Sequence, residues 1–402
     1  MQGMSGLLSL DEALAAVLAR ARPLPSEPVP LEAAAGRVLA EPARARVDLP
    51  PFPGSAMDGF ALRAAETPGQ LPVVFRIAAG RPAPGPLEPG EAMAIATGGV
   101  VPSGADAVVP HEYVVQQDNT VEIPDLVAVG ANIRPRGGDA RVGDLVVSAG
   151  ARLGPAQLGA LAAAGIGEVE CARRPHVAVL TTGTELRRPG ERLEPGEIYE
   201  SNGVMLAAQL EAAGAEVERL EAVADDEAAH RAALEEGLQS DVLVTSGGVS
   251  VGPHDLVRRV ETELGVEELF WRVALKPGKP VSFGVRGATL VFGLPGNPVS
   301  SLVGCELFVR PALLALQGSS DPGPDFRPGR LERPVRQDVQ RVQLLRARTS
   351  VGAEDVLLDP VAGQDSHMIV RAAEADALML VPAGEGELPA GATVSYLRLG
   401  WG

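Results

Sequence analysis

Three runs of branched apolar residues in the middle of the chain each end in a turn of small and hydroxylated residues. Leu180 leads into Thr181-Thr182-Gly183, Val244 into Thr245-Ser246-Gly247-Gly248, and Phe292 into Gly293-Leu294-Pro295-Gly296-Asn297-Pro298. Glycine lets a backbone approach a phosphate closely, hydroxyls add donors, and a helix opening at Pro298 would point its amide end at an anion. One glycine turn after a strand is ordinarily only a turn. Three that meet at the carboxyl edge of one parallel sheet predict a pocket for a phosphorylated small molecule, because ligands of open α/β sheets sit there. Lys276-Pro277-Gly278-Lys279-Pro280 adds two cations on a stiff loop, in a region whose other cations are arginines. A solvated turn is the bland alternative, yet lysine is the point charge that a flexible anionic group needs.

Four acids of the same region, Glu185, Asp225, Asp226 and Asp255, follow the ends of expected strands or open helices. The aspartates read equally well as helix N-caps when taken singly. Together, hard oxygen ligands facing an anion site suit magnesium, which favours a few carboxylates plus substrate oxygens. His254 and His367 have no partner at metal-ligand spacing and are not read as ligands. Nearer the N-terminus, Pro50-Pro51-Phe52-Pro53-Gly54-Ser55-Ala56-Met57-Asp58-Gly59-Phe60-Ala61 places a single acid between apolar neighbours. Asp-Gly by itself usually marks a turn, so chemistry alone leaves Asp58 undecided.

The elements that must position these residues change texture along the chain. Leu10, Leu14, Val17 and Leu18 recur at helical spacing behind a capping box, Ser9-Leu10-Asp11-Glu12, and predict a helix over 9–22; a second is expected over 31–39. Short runs at 73–77, 92–95, 107–109 and 113–115, closely punctuated by Pro and Gly, predict a compact β domain inserted between helical segments. Gly154 to Gly165 returns to a helical pattern with Pro155 in its first turn. Strands at 177–180, 217–220 and 242–244 then alternate with helices over 203–213 and 227–238, the signature of a doubly wound parallel sheet. A Pro/Gly/Ser-rich linker over 317–330 precedes a tail of alternating residues that suggests a small β-barrel or sandwich.

Composition bounds the function. The 402-residue chain carries 46% hydrophobic and 22% charged residues, enough for several packed domains. A net charge of −17 repels phosphate backbones, so nucleic acid and anionic membranes are excluded as principal partners, and any anion site must be built locally. Cys171 and Cys305 are too few for a disulfide framework and fit a reducing compartment. No secretion signal is read at the N-terminus, and the longest charge-free stretch, 287–305, is interrupted by Gly, Pro and Asn. The expectation is a soluble, cytoplasmic enzyme.

With these residues in view the sequence resembles the MoeA family of molybdopterin molybdenumtransferases, which includes the gephyrin C-terminal domain. The likeness runs in order over the whole chain: Ser55-Ala56-Met57-Asp58-Gly59, Ala96-Thr97-Gly98, Gly104-Ala105-Asp106-Ala107-Val108-Val109, Asn132-Ile133-Arg134, Thr182-Gly183 before Glu185-Leu186, and Ser201-Asn202. It continues through Ser246-Gly247-Gly248-Val249-Ser250-Val251-Gly252, Lys276-Pro277-Gly278-Lys279-Pro280 and Gly293-Leu294-Pro295-Gly296-Asn297-Pro298-Val299-Ser300.

The resemblance implies a multidomain α/β and β architecture: a linker or dimerisation domain (1–44 and 141–176), an inserted β domain (45–140), a doubly wound molybdopterin-binding domain (177–318) and a C-terminal β-barrel (328–402). It implies a homodimer whose site lies between the α/β domain of one subunit and the inserted domain of the other. The implied reaction inserts molybdate into adenylylated molybdopterin and releases AMP with magnesium present. Catalytic residues implied are Asp58, Thr97, Glu185, Asp225 and Asp255, with Glu185, Asp225 and Asp255 as metal ligands. Ligand-binding residues implied are Arg134, Lys276, Lys279, Pro295, Pro298 and Ser366, joined by the turn residues Thr182, Gly183, Ser246, Gly247, Gly248, Gly296 and Asn297. The chain departs from the family pattern at Gly54, Phe60, Gly138, Thr184 and Glu200; Gly138 and Thr184 stand where carboxylates are common. Two rivals differ in class. A molybdopterin adenylyltransferase, also a candidate partner, would not need the inserted domain that carries Asp58. A dimeric scaffold could lose its acids and lysines freely, whereas Asp58, Glu185, Asp255 and both lysines stand in place.

Overall fold

In the computed structural model, which describes residues 7–221, 227–248, 256–352 and 355–400, the apolar strands of the middle region alternate their side chains between two covered faces. Val177, Val179, Val242, Val244, Leu290 and Phe292 pack on one side with the long helical segment Pro298–Leu316 and the N-terminal helix Leu10–Leu18. Ala178, Leu180, Leu243 and Val291 pack on the other with Leu234, Val257 and Val260. A sheet apolar on both faces needs helices on both, which is why these strands read as continuous hydrophobic runs.

The strand order is Glu216–Arg219, His176–Thr181, Val242–Ser246, Thr289–Leu294, Ser282–Arg286, Glu267–Trp271. The first four are parallel, linked by crossovers that include Asn202–Ala212 and Glu227–Gly237; Ser282–Arg286 then runs antiparallel to both of its neighbours, Thr289–Leu294 and Glu267–Trp271. The expectation of a parallel sheet is corrected there. Ser282–Arg286 and Thr289–Leu294 are joined by only Gly287 and Ala288, and a two-residue connection can only turn the chain back on itself.

Segment Pro298–Leu316 is the one helix among the described residues long and apolar enough to cross a membrane, but 94% of its 18-residue apolar stretch is buried inside the protein. It widens to a π-turn over Cys305–Val309, where Pro311 cannot donate to the carbonyl of Leu307.

The capping box forms as expected: Glu12 N–H donates to Ser9 Oγ at 3.2 Å and Ser9 N–H to the Glu12 carboxylate at 2.8 Å, though the helix ends at Leu18. The helix expected over 31–39 does not form. Only Leu31–Ala33 makes a 3₁₀ turn, Gly36 takes φ +73°, and Val38 and Leu39 bridge Arg152 and Cys171 instead. Burial of Ala34, Val38 and Leu39 is satisfied without a helix. The strand expected over 113–115 starts only at Val115, because His111–Tyr113 forms a 3₁₀ turn after Pro110.

Segments around 29–45 and 147–171 share a core of their own, centred on Leu39, Leu153, Leu161 and Cys171 and tied by the antiparallel pair Ser26–Pro30 and Glu168–Ala172. Between them runs a six-stranded sheet in the order Ala107–Pro110, Gly59–Leu62, Ala92–Ile95, Gly69–Ile77, Thr120–Ile123, Val115–Gln117.

The C-terminal region closes into a five-stranded barrel. Val342–Val351 pairs with Val356–Pro360 and Ala377–Val381, and Thr393–Arg398 with Ala377–Val381 and Phe326–Leu331; the parallel contact of Phe326–Leu331 with Val356–Pro360 completes the ring. Arg346 is 1% exposed there, and its guanidinium donates to the carbonyls of Gly363, Asp365 and Met368. Arg346→Met removes donors from three carbonyls of a part-exposed loop, one of which, Asp365 O, keeps the Met368 N–H, so a loss of about 1–3 kcal/mol is expected. Thermal unfolding measures it; an unchanged midpoint would mean that the 363–368 loop holds itself.

Candidate functional site

The three small-residue turns do converge. Strands His176–Thr181, Val242–Ser246 and Thr289–Leu294 are neighbours, so their carboxyl ends open side by side onto a cleft of about 750 Å³. Thr182, Gly183, Glu185, Ser246, Gly247, Gly248, Pro295, Gly296, Asn297 and Pro298 all line it. The turns are bonded to one another rather than merely adjacent. Thr182 N–H donates to Ser246 O at 3.1 Å and Gly247 N–H to Leu294 O at 3.1 Å. Asn202 Nδ2 donates to Ser246 Oγ at 2.9 Å and to Gly296 O at 2.8 Å, and Ser301 Oγ donates to Pro295 O. Gly247 takes φ +99°, and a Cβ on it would lie 2.6 Å from Thr182 O, so the crossing of these two turns has room only for glycine.

Glu185 is exposed in the cleft and its carboxylate has no hydrogen-bond partner among the described residues. It folds over Gly183, where an added Cβ would meet Glu185 Oε2 at 2.6 Å. Glu200 differs: it is buried, accepts from Gly203 N–H at 2.6 Å and pairs with Arg219 at 3.0 Å. That carboxylate caps the helix Asn202–Ala212.

The amide end of the helix at Pro298 is less free than expected. Pro298 has no N–H, and Val299 N–H already donates to the carbonyl of Ser366 at 3.0 Å, so the C-terminal region occupies part of this donor set. Ser366 thus approaches the site through its backbone. His367 and Ile369, beside it, line the cleft.

Asp58 and Thr97 stand together on the six-stranded sheet, at the adjacent ends of Gly59–Leu62 and Ala92–Ile95. Thr97 N–H donates to Asp58 Oδ1 at 2.6 Å and Thr97 Oγ1 to the same oxygen at 3.0 Å. The Thr97 amide, then its hydroxyl, hold the Asp58 carboxyl below its usual range, with His111 adding charge. The loop is braced by His111 N–H to Asp58 O at 3.2 Å and by Ser55 Oγ to Met57 O at 2.5 Å. Arg134 is exposed in a separate two-stranded pair, Ile133–Arg134 with Gly54–Ser55. None of Asp58, Thr97 and Arg134 lines the cleft of its own chain.

Lys276, which ends the short strand Leu275–Lys276, and Lys279, on the turn after it, are exposed, and the same turn contributes Pro280 to the cleft. They are the only lysines among the 402 residues. Lys276 Nζ lies 3.3 Å from Asp338 Oδ2 of the C-terminal region, a partner that sequence spacing could not reveal. Asp225, Asp226, Asp255 and His254 lie outside the described residues, and among the described residues no group of three or more metal-binding side chains gathers. Asn202, Ser301 and His367 escaped identification as site residues. Asn202 had a signal in Ser201-Asn202, His367 only its neighbour Ser366, and Ser301 none.

Comparison with known proteins agrees over three consecutive segments. Residues 8–165 match the MoeA N-terminal region (domain I and II), 178–315 a probable molybdopterin binding domain, and 328–399 the MoeA C-terminal region (domain IV). The chain is 38% identical over 385 residues to molybdopterin molybdenumtransferase 2 of Mycobacterium tuberculosis, covering 90% of this chain and 92% of that one. It is 34% identical to the molybdopterin molybdenumtransferase of Haemophilus influenzae, covering 97% and 98%. A molybdopterin biosynthesis MoeA protein from Pyrococcus horikoshii superposes with a TM-score of 0.81 at 33% identity, over 98% of this chain and all of that one.

Proposed function

The chain belongs to the MoeA family and is an enzyme of molybdenum cofactor biosynthesis, and from that premise we propose that it inserts molybdate into adenylylated molybdopterin and releases AMP. The observation that carries the reading is the pairing of an interlocked glycine-turn cleft with an acid, Asp58, held ionised on a separate sheet. Backbone amides of the turns and the ammonium groups of Lys276 and Lys279 would bind the phosphates. Asp58, with Oδ2 unengaged among the described residues, would accept a proton from a water that attacks the phosphoanhydride, so that the P–O–P bond breaks and AMP and the pterin phosphate separate, while Thr97 fixes its orientation.

Magnesium is part of the proposal. Glu185 supplies a carboxylate with unengaged oxygens at the cleft, which fits an ion that takes few protein ligands and completes its shell with phosphate oxygens and water. Asp225 and Asp255 would join it, and the bound ion would neutralise charge on the phosphates. Asp58, Thr97 and Arg134 lie away from their own cleft, which supports a homodimer in which each subunit completes the other's site, with 1–44 and 141–176 as the dimerising segment, 45–140 as the arm and 177–318 as the binding domain.

The test is direct: with adenylylated molybdopterin and magnesium, AMP is expected only when molybdate is added. AMP formation without molybdate dependence, or pyrophosphate release from ATP, would sink the reading. Lys276→Ala is expected to raise KM about 10- to 100-fold, the worth of a charge-assisted phosphate contact, with circular dichroism unchanged.

A further inference from the structure

We propose that Asp338, in the C-terminal barrel, is a positioning residue for Lys276, fixing the ammonium at the junction of barrel and α/β domain so that it meets the ligand's phosphate already ordered. The inference rests on the proposed role of Lys276 and goes beyond it by giving the barrel a part in binding.

Four observations carry it. First, the two elements are one structure at this point: Leu275–Lys276 adds a parallel strand to the barrel, with Lys276 opposite Gln343. Second, Asp338 is rigid. Its Oδ1 accepts from Gln340 N–H and Arg341 N–H, both at 3.1 Å; its own N–H donates to Gln343 Oε1 at 2.9 Å, and its carbonyl accepts from Gly384 N–H at 2.9 Å. Third, Asp338 Oδ2 is shared by Lys276 at 3.3 Å and Arg341 at 3.1 Å. The carboxylate therefore stays neutralised whether or not the lysine leans toward a ligand, and it does not add a repelling charge to the site. Fourth, Lys276 is half-exposed, and an ammonium has three donors, of which Asp338 uses one. The remaining two can face a phosphate.

These bonds, the Gln340 amide foremost, hold the Asp338 carboxyl down to about 2, so it is ionised wherever the enzyme works. A lysine loses much rotamer freedom when it is pinned, and a partner that has already pinned it removes that cost from ligand binding. In a chain with 33 arginines and two lysines, placing one of the two beside a fixed carboxylate is a specific arrangement rather than one surface pair among many.

Asp338→Asn tests the idea, with Asp338→Glu and Lys276→Ala as its partners. In Asp338→Asn, KM for adenylylated molybdopterin is expected to rise about three- to fivefold, the range of a part-exposed ion pair, while kcat falls less than KM rises. Asp338→Glu, which keeps the charge one methylene away, should lie between it and the parent. In a Lys276→Ala background Asp338→Asn should have no further effect on KM, because the residue acts only through the lysine. Reductive ¹³C-methylation gives an independent readout: the chain has two lysine signals, and Asp338→Asn should shift one. An unchanged KM and spectrum, a KM that falls, or an effect that persists in the Lys276→Ala background would each overturn the proposal. If Lys276→Ala alone leaves KM unchanged, the lysine is not a phosphate ligand and both readings fall together.

Discussion

Asp58→Ala is expected to lose about 100- to 10,000-fold in kcat/KM for molybdate-dependent AMP release while keeping its fold, the span associated with removing a positioned general base. The fold should survive because Asp58 is exposed and its loop is held independently by Ser55 Oγ to Met57 O, His111 N–H to Asp58 O and the pairing of Gly59 with Ile95 and Pro110. The larger consequence concerns subunits. Because Asp58 does not reach the cleft of its own chain, Asp58→Ala and Lys276→Ala chains should complement each other when dissociated, mixed and reassociated. Each mixed dimer then holds one intact site and one doubly defective site. Random assembly makes half the dimers mixed, so recovery of about a quarter of wild-type activity is expected. Mixtures no more active than their components would place all the chemistry within one chain.

Gly247→Ala should be nearly as damaging, for a geometric reason. The residue sits at φ +99°, where a side chain costs about 1–2 kcal/mol, and its Cβ would press to 2.6 Å on Thr182 O. That oxygen belongs to backbone, which cannot swing aside as a side chain would. The strain can be relieved only by parting the Thr182 turn from the Ser246–Gly247 turn, breaking the Thr182 N–H to Ser246 O bond that holds the cleft floor. Affinity for adenylylated molybdopterin is expected to fall about 100-fold or more, with global stability lowered by only about 1–3 kcal/mol. Calorimetric titration with thermal unfolding separates the two effects. Equal affinity in the variant would show that the turn interlock is not part of the binding surface.

The middle domain was legible because its signals are local. A buried strand, a glycine turn and a capped helix each announce themselves within a dozen residues, and their convergence follows from the way parallel sheets stack their carboxyl ends. The antiparallel hairpin at Gly287-Ala288 is local too, but alternating strands and helices elsewhere obscured it. The segment 31–39 misled because its apolar spacing fits a helix, while Pro30 and Gly36 let Ala34, Val38 and Leu39 reach the core without one.

Site geometry was least legible where partners come from afar. Lys276 and Asp338 are 62 positions apart, and Val299 meets Ser366 across a domain boundary. Asp58 shows the same limit from the other side. Its neighbours in sequence say turn, and only Thr97, 39 positions on, makes it a held carboxylate.

The confinement of lysine to Lys276 and Lys279 reaches into how the protein ages and is handled. Both are followed by proline, so a protease that cuts after lysine finds two bonds in the whole chain and both are poor substrates. Acyl phosphates, reducing sugars and acetyltransferases, which in most proteins spread their damage over many inconsequential surface amines, have no lysine targets here except the two beside the cleft. A single lysine acylation per chain would erase a positive charge from the 276–280 loop, and, on the role proposed for these lysines, loss of activity should track the first lysine modified rather than the accumulated load.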